Sequence, residues 1–445
     1  MPLMVSVSGV RGIVGSEVNP EVIGRWASAF ASILPEGPIV LGRDSRITGG
    51  ILAQAAGAFL ASTGRTVLDV GIVPTPTVQL AVENWNGAGG LILSASHNPS
   101  EWNALKFVDT DGSFLSPDRF LELKAAFEAN APSFRDAFNY GDFIDRHEDA
   151  LNEHLASVLS FIDVAAIRAR NLKVALECGH GAGGTILPRL AEELNVDLQL
   201  FHGEPNGQLL PNPEPTTATL IDLLKQVEGS TAFLAMTDPD ADRCGLGLPG
   251  TDIVGEEWTL PLVIRHRLKT GRGPIVTNLS TSTRIEAAAK DFDVPVYRTP
   301  VGEAHVVSEM KQKDALIGGE GNGGVIDPRS HLGRDSVVAF AILCEAESVH
   351  DGGLRALAQE FPPRIMLKDK RLVSENNLGD WSAPLETEWG PADDRRDGLR
   401  WAFEDGFLHV RASNTEPIVR IAVEAETETI AAERMERTRT ALGSI

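Results

Sequence analysis

Leu91-Ile92-Leu93-Ser94-Ala95-Ser96-His97-Asn98-Pro99 is the stretch whose reading decides the fold. Its apolar start has the character of a buried strand, and it ends in a turn of small residues carrying hydroxyls, an imidazole and a carboxamide. Pro99 lacks an N–H and biases Asn98 away from helix, so the chain bends there. A hydroxyl beside His97 at a strand end is a candidate nucleophile. The alternative is a polar turn that merely closes a strand. Lys106 follows the proline by seven positions and is a candidate proton donor or electrostatic clamp.

The segments on either side repeat that form. Residues 5–14 read as a strand broken by Gly9 and Gly12 around Arg11, and a helix is expected over 20–33. Strands are expected at 38–42 and 66–70, with helices at 51–63 and 77–85. This alternation is the α/β pattern and favours a mostly parallel sheet. It returns where Leu172-Lys-Val-Ala-Leu-Glu177 runs into Cys178-Gly-His-Gly-Ala-Gly-Gly184, and where Pro274-Ile-Val-Thr-Asn278 runs into Leu279-Ser-Thr-Ser-Thr283. Further on, 399–403, 407–411 and 418–424 read as short strands in hairpin succession, closed by a charged helix over 428–442. The expected class is α/β, with three similar mixed α/β domains plus a smaller C-terminal α+β domain around a central cleft. The domains are expected at 1–149, 150–250, 251–362 and 363–445, with linkers near 148–150, 249–252 and 361–364.

At 445 residues the chain exceeds what one core supports. Its net charge of −22 argues against nucleic acid or an anionic membrane as partner. An anionic small molecule stays open, because local arginines override the global field. Cys178, Cys244 and Cys344 fit no metal or disulfide framework and read as buried thiols in a reducing compartment. The first residues lack a basic-then-apolar leader, and the most apolar helix, over 51–62, is too short to span a bilayer. The expectation is a cytoplasmic monomer or homodimer.

Three further stretches carry chemistry. In Thr237-Asp-Pro-Asp-Ala-Asp-Arg243 three carboxylates at alternate positions can converge on one cation. All-oxygen ligands select a hard ion, and a site shared with a phosphate favours Mg²⁺ over Ca²⁺. Gly318-Gly-Glu-Gly-Asn-Gly-Gly324 reads equally as a mobile hairpin or as a loop that lets a ligand approach the backbone closely, with Glu320 and Asn322 as the side chains aimed at it. A carboxylate and a carboxamide suit sugar hydroxyls. In Arg411-Ala-Ser-Asn-Thr-Glu-Pro417, Arg411 and the following Arg420 surround Ser413, Asn414 and Thr415 as an oxyanion cradle. A nucleophile, a hard-metal site, a hydroxyl reader and a phosphate cradle point together to phosphoryl transfer on a phosphosugar.

These stretches, nearly end to end and in order, resemble the α-D-phosphohexomutase family of phosphoglucomutases, phosphomannomutases and phosphoglucosamine mutases. The resemblance makes Ser96 the phosphorylated residue, with His97 beside it and Ser94 a turn residue. It makes Asp238, Asp240 and Asp242 the Mg²⁺ ligands alongside the Ser96 phosphate. Ser8-Gly-Val-Arg-Gly12 is similar to the N-terminal loop whose arginine, here Arg11, contacts the phosphoserine. Asn103-Ala-Leu-Lys-Phe107 is similar to the family's Asn-Gly-x-Lys-Phe, which makes Lys106 the acid/base, although Ala104 replaces the usual glycine.

The departures bear on substrate. Asn322 and Gly324 stand where bacterial relatives carry serine and histidine, and Glu303 stands where many carry histidine. Both variants resemble the archaeal-type branch usually called phosphoglucosamine mutase, whose members include glucose and mannose enzymes. An added carboxylate near the sugar suits a 2-ammonium group, which favours glucosamine; His305 reads as a helix-face residue. The implied reaction passes through a hexose 1,6-bisphosphate, with Arg11, Arg243 and Lys106 supplying positive field. Glucose or mannose specificity, or a metal-dependent sugar phosphatase using the same serine, are the alternatives.

Overall fold

The computed structural model describes residues 3–129, 134–372, 381–412 and 418–443. Its chain divides into two compact units, Met1–Thr259 with Asn322–Leu354, and Leu260–Gly321 with Arg355–Ile445.

In the first unit a seven-stranded sheet runs in the order Met4–Ser6, Gly9–Ile13, Trp102–Val108, Gly89–Leu93, Ile39–Arg43, Val67–Ile72, Phe143–Asp145. The strands at 39–43, 67–72, 89–93 and 143–145 are mutually parallel, and the other three join through antiparallel pairings, 102–108 with 89–93, 9–13 with 102–108 and 4–6 with 9–13. The sheet is thus mixed, not mostly parallel. Residues 94–101 are too few for a parallel crossover, so the chain must double back after Leu93. The helix Pro20–Ile33 opens where the Asn19 side chain accepts from Val22 N, with proline in its first turn. It buries Ile23, Trp26 and Phe30 in a core shared with Leu41, Leu91, Leu105 and Phe107.

The second sheet has the same logic. Lys173–Glu177 lies parallel to Asp197–Phe201 and Phe233–Thr237, while Cys244–Gly247 pairs antiparallel with Phe233–Thr237. Residues 238–243 form the hairpin connection, with Thr237 opposite Cys244. Residues 148–150, expected as a linker, are the first turn of the helix His147–Leu159. That helix is tied into the unit by His154, whose Nδ1 meets Thr77 Oγ1 at 2.8 Å and whose Nε2 meets Asp335 Oδ2 at 2.8 Å. Asp335 also caps the helix Ser336–Val349 through the Val337 and Val338 amides.

The second unit holds the parallel strands Val296–Thr299, Ile275–Asn278 and Ile317–Glu320. It also holds an antiparallel sheet in the order Ile365–Leu372, Ile418–Ala425, Gly406–Ala412, Leu399–Phe403. Three of those four strands are expected from sequence. Ile365–Leu372 is not, because its run Lys368-Asp-Lys-Arg371 is the charged composition of an edge strand. The helix Glu428–Leu442 covers one face, with Ala431, Met435 and Leu442 in the core beside Val419, Ile421 and Val423. Among the described residues, no single helix is long and apolar enough to cross a membrane.

Candidate active site

Both doubled-back connections of the first unit leave the carboxyl ends of central parallel strands, where α/β sheets hold their ligands. In the first, the register sets Ile92 opposite Lys106 and Leu93 opposite Leu105, so the serine turn and the lysine share one sheet end. Arg11 pairs in register with Ala104 on the next strand, and its Nη1 reaches Asn98 Oδ1 at 3.4 Å. Ala104 is fully buried in a regular strand, where no glycine is needed.

Ser96 has φ +48°, a left-handed conformation that costs a residue with a side chain about 1 kcal/mol. The local structure over-determines it. The Ser96 amide donates to Ser94 Oγ at 3.0 Å, and Ser94 is fully buried. Beneath the turn lies Arg46, 1% exposed. Its Nη1 donates to the carbonyls of Pro99 and Trp102 at 2.7 and 3.1 Å, and its Nη2 to those of Ser96 and Asn98 at 2.6 and 2.7 Å. Asp44 holds the guanidinium from behind at 3.1 Å. The Ser96 hydroxyl donates to Asp238 Oδ2 at 3.0 Å, while the His97 imidazole is farther, at 3.5 Å. Burial and the Arg243 guanidinium push His97 down to about 4, so its ring is neutral at pH 7.

The second connection carries Asp238, Asp240 and Asp242. All three are fully buried, and one oxygen from each lies within 4.8 Å of the others. Ala241 takes φ +53° to turn them inward. Lys106 Nζ meets Asp240 Oδ2 at 2.5 Å, Thr75 Oγ1 donates to the same oxygen at 2.8 Å, and Arg334 pairs with Asp242. Burial and the neighbouring Asp242 and Asp240 carboxylates hold Asp238 well above the usual carboxylate range. Burial alone would raise Asp240 as well, but the Lys106 ammonium more than offsets it and holds that carboxyl low. Asp240 Oδ1 and Asp242 Oδ1 are buried with no hydrogen-bond partner among the described residues. Such crowding is unfavourable unless a cation neutralises it, so the residues fit a hard divalent ion. Arg243 pairs through Nη1 with Glu214 at 2.8 Å, and its Nε stays 3.6 Å from Asp242 Oδ1.

In the second unit, Glu320 is buried and its Oε1 accepts from Asn278 Nδ2 at 2.8 Å and Gly302 N at 3.0 Å. Glu303, also buried, begins the helix Glu303–Lys313, on which His305 is exposed. Arg411 lies directly opposite Arg420 in the antiparallel sheet. Like charges so placed repel, and a bound anion would relieve them. Ser413, Asn414 and Thr415 lie outside the described residues. Asn322, in the first unit, turns its Oδ1 back to Gly324 N at 3.1 Å. The glycines flanking Glu320 and Asn322 serve packing as much as ligand approach. A Cβ on Gly318 would stand 2.4 Å from Met310 Sδ, and one on Gly323 2.5 Å from the Cys244 carbonyl oxygen.

Comparison with known proteins accounts for this arrangement. Residues 3–133, 152–249 and 257–365 match the descriptions "Phosphoglucomutase/phosphomannomutase, alpha/beta/alpha domain" I, II and III, and 370–441 match the C-terminal domain. A phosphoglucomutase/phosphomannomutase of Thermococcus kodakarensis is 34% identical over 442 residues, covering 96% of each chain. The chain belongs to the phosphoglucomutase/phosphomannomutase family. It is a phosphohexomutase-family enzyme, an intramolecular phosphotransferase, built from three α/β/α domains and a C-terminal domain. A probable phosphoglucosamine mutase of Methanopyrus kandleri is 30% identical over 427 residues, covering 95% of this chain and 93% of that one. A crystal structure of a phosphoglucomutase/phosphomannomutase family protein from Burkholderia thailandensis shares the fold, with a TM-score of 0.85 at 23% identity, over 99% of this chain and 98% of that one.

Within this family member, Ser96, Lys106 and the three aspartates come together in one unit. Glu303, Glu320, Arg411 and Arg420 belong to the other. Sequence reading missed Arg46, Asp44, Thr75, Glu214 and Arg334. The string Arg43-Asp44-Ser45-Arg46 after a strand was the available signal, but nothing local says that Arg46 reaches carbonyls fifty residues away. Arg46→Lys retains the charge beside Asp44 but cannot span four carbonyls. It should destabilise the protein by on the order of 3 kcal/mol, the cost of buried carbonyls left unsatisfied. kcat should also fall well below the wild-type value at temperatures where the variant is folded. A wild-type Tm and kcat together would remove Arg46 from this role.

Proposed function

We propose that this enzyme interconverts hexose 6-phosphate and hexose 1-phosphate through phosphorylated Ser96 and a hexose 1,6-bisphosphate, with glucosamine phosphate preferred. The observation that carries the reading is the hydrogen bond from Ser96 Oγ to Asp238, in a buried cluster whose next carboxylate holds the Lys106 ammonium. A nucleophile, a cation site and a proton donor meet there.

In the first transfer the bond from phosphorus to Ser96 Oγ breaks and one to a sugar hydroxyl forms. The hydroxyl proton passes by way of Lys106 to Ser96 Oγ. The second transfer reverses these steps with the other phosphate of the bisphosphate. Arg11 and Arg243 balance charge around the transferring group, while Arg411 and Arg420 bind the phosphate that stays. A Mg²⁺ held by Asp238, Asp240, Asp242 and the Ser96 phosphate would neutralise charge on the phosphoryl oxygens. His97, neutral and more distant from Ser96 Oγ than Asp238 is, lines the serine turn.

The glucosamine preference rests on two buried carboxylates, Glu303 and Glu320, in one neighbourhood, which suits a 2-ammonium. The Methanopyrus relative's name supports it. The 34% identical Thermococcus relative favours glucose and mannose phosphates as the second reading. Mutase assays on the 1-phosphates of glucosamine, glucose and mannose, with Mg²⁺ and the matching bisphosphate, decide between them. The expected result is a kcat/KM for glucosamine 1-phosphate at least about 100-fold above the others, well within what a site that pairs with one substrate's polar group can give. Equal turnover on all three would replace the substrate assignment. Steady release of inorganic phosphate without isomerisation would replace the mutase by a phosphatase.

A further inference from the structure

Asp397 precedes the strand Leu399–Phe403 and stands between two features that sequence reading treats separately. Its Oδ2 accepts from Val301 N at 2.9 Å and faces Arg411 Nε at 3.6 Å. The next amide, Gly302 N, donates to Glu320. Successive amides of one turn are therefore held by two carboxylates, and that turn leads directly into Glu303. The other end of Arg411 is occupied too, since its Nη1 donates to the Ala412 carbonyl at 2.9 Å. The Asp397 backbone is fixed as well. Its carbonyl meets His409 Nε2 at 2.6 Å, and His409 Nδ1 meets Ser280 Oγ at 2.8 Å. His409 is 1% exposed, and burial pushes it down to about 4, which keeps the neutral ring in that relay. Glu320 and Arg420 both act electrostatically on Arg411, so the anion-binding arginine and the sugar-loop carboxylate share one neighbourhood.

We infer that Asp397 is a positioning residue that aims the Arg411 guanidinium at a phosphate monoester while fixing the 301–303 turn that presents Glu303. This rests on the reading of Arg411 as the anion-binding arginine. A guanidinium held on Nε and one Nη offers its remaining donors in one direction, so less freedom is lost when the anion arrives. Binding of phosphate and presentation of the sugar-facing carboxylate are thereby joined in one side chain.

Two variants separate the parts. Asp397→Asn keeps an oxygen for Val301 N but drops the charge that holds Arg411. Asp397→Ala drops both. The affinity for inorganic phosphate, measured by direct calorimetric titration of the full chain, should fall about tenfold in each variant, a loss of aim and not of a donor. In an Arg411→Ala background, Asp397→Asn should bring no further loss. KM for the sugar phosphate should rise with the phosphate dissociation constant while kcat changes far less. Only Asp397→Ala should also shift the kcat/KM ratio between glucosamine and glucose 1-phosphates. A lower Tm with wild-type phosphate affinity in both variants would make Asp397 merely structural and overturn the inference. Additive losses with Arg411→Ala would overturn it too. Phosphate titration needs no turnover, so failure of the mutase reading would appear separately, as wild-type protein that binds phosphate and isomerises no sugar.

Discussion

Ser96→Ala is expected to abolish mutase turnover, by roughly 10⁴-fold or more, while leaving the fold in place. The neighbouring Ser94 hydroxyl cannot take over. Ser94 is fully buried, and its oxygen is engaged by the Ser96 amide. The turn itself is held by Arg46 and Pro99, neither of which depends on the Ser96 side chain. Alanine tolerates the left-handed backbone about as poorly as serine does, so the change in stability should stay within about 1 kcal/mol. Two measurements check this together. Incubation with a labelled hexose 1,6-bisphosphate should label Ser96 in the wild type, located by peptide mass spectrometry, and leave the variant unlabelled. Near-normal isomerisation by the variant would sink the phosphoserine mechanism.

The next largest effect is expected from Asp240→Asn. This carboxylate has three tasks. Its oxygen clusters with one from each of Asp238 and Asp242 as a cation would need, it accepts from Thr75, and it is the counter-charge of Lys106. Asparagine retains an oxygen for Thr75 and loses the rest. The half-saturating Mg²⁺ concentration should rise by more than the 10–100-fold, roughly, that outer-shell changes cost. kcat at saturating Mg²⁺ should fall about 100-fold or more, because Lys106 loses the partner that keeps its buried ammonium charged. The sugar KM should move much less. Thermal unfolding gives an independent readout. Mg²⁺ should raise the Tm of the wild type, since a ligand bound only by the folded state stabilises it, and should do so far less in the variant. An unchanged Mg²⁺ requirement would remove Asp240 from the cation site.

Much of the fold is legible in the residues. The helices at Pro20–Ile33 and Glu428–Leu442 have the capping residue and apolar spacing that mark them, and they appear where expected. The strands entering the serine and aspartate turns are continuous apolar runs, which is what a strand covered on both faces requires. The direction of the strands after those turns is less visible, because it depends on whether the connection can carry a crossover. Residues 94–101 and 238–243 are too short for one, and that counting argument yields mixed sheets.

The candidate site divides along the same line. The sequence by itself determined which chemical groups are present and in which turns. Hydroxyls follow one apolar strand, three carboxylates alternate after another, and arginines flank a polar turn near the C-terminus. These are local patterns, dictated by what a strand end or hairpin turn can display. Only the tertiary structure decided which groups meet. Asp238 receives the Ser96 hydroxyl across 142 positions of chain, Asp240 receives Lys106 across 134, and Arg46 binds the serine turn from 50 residues away. Asp397, with no motif around it, joins Val301 to Arg411. Such pairings arise from sheet register and from the need of each buried charge and carbonyl for a partner, and neither is a property of any short stretch of sequence.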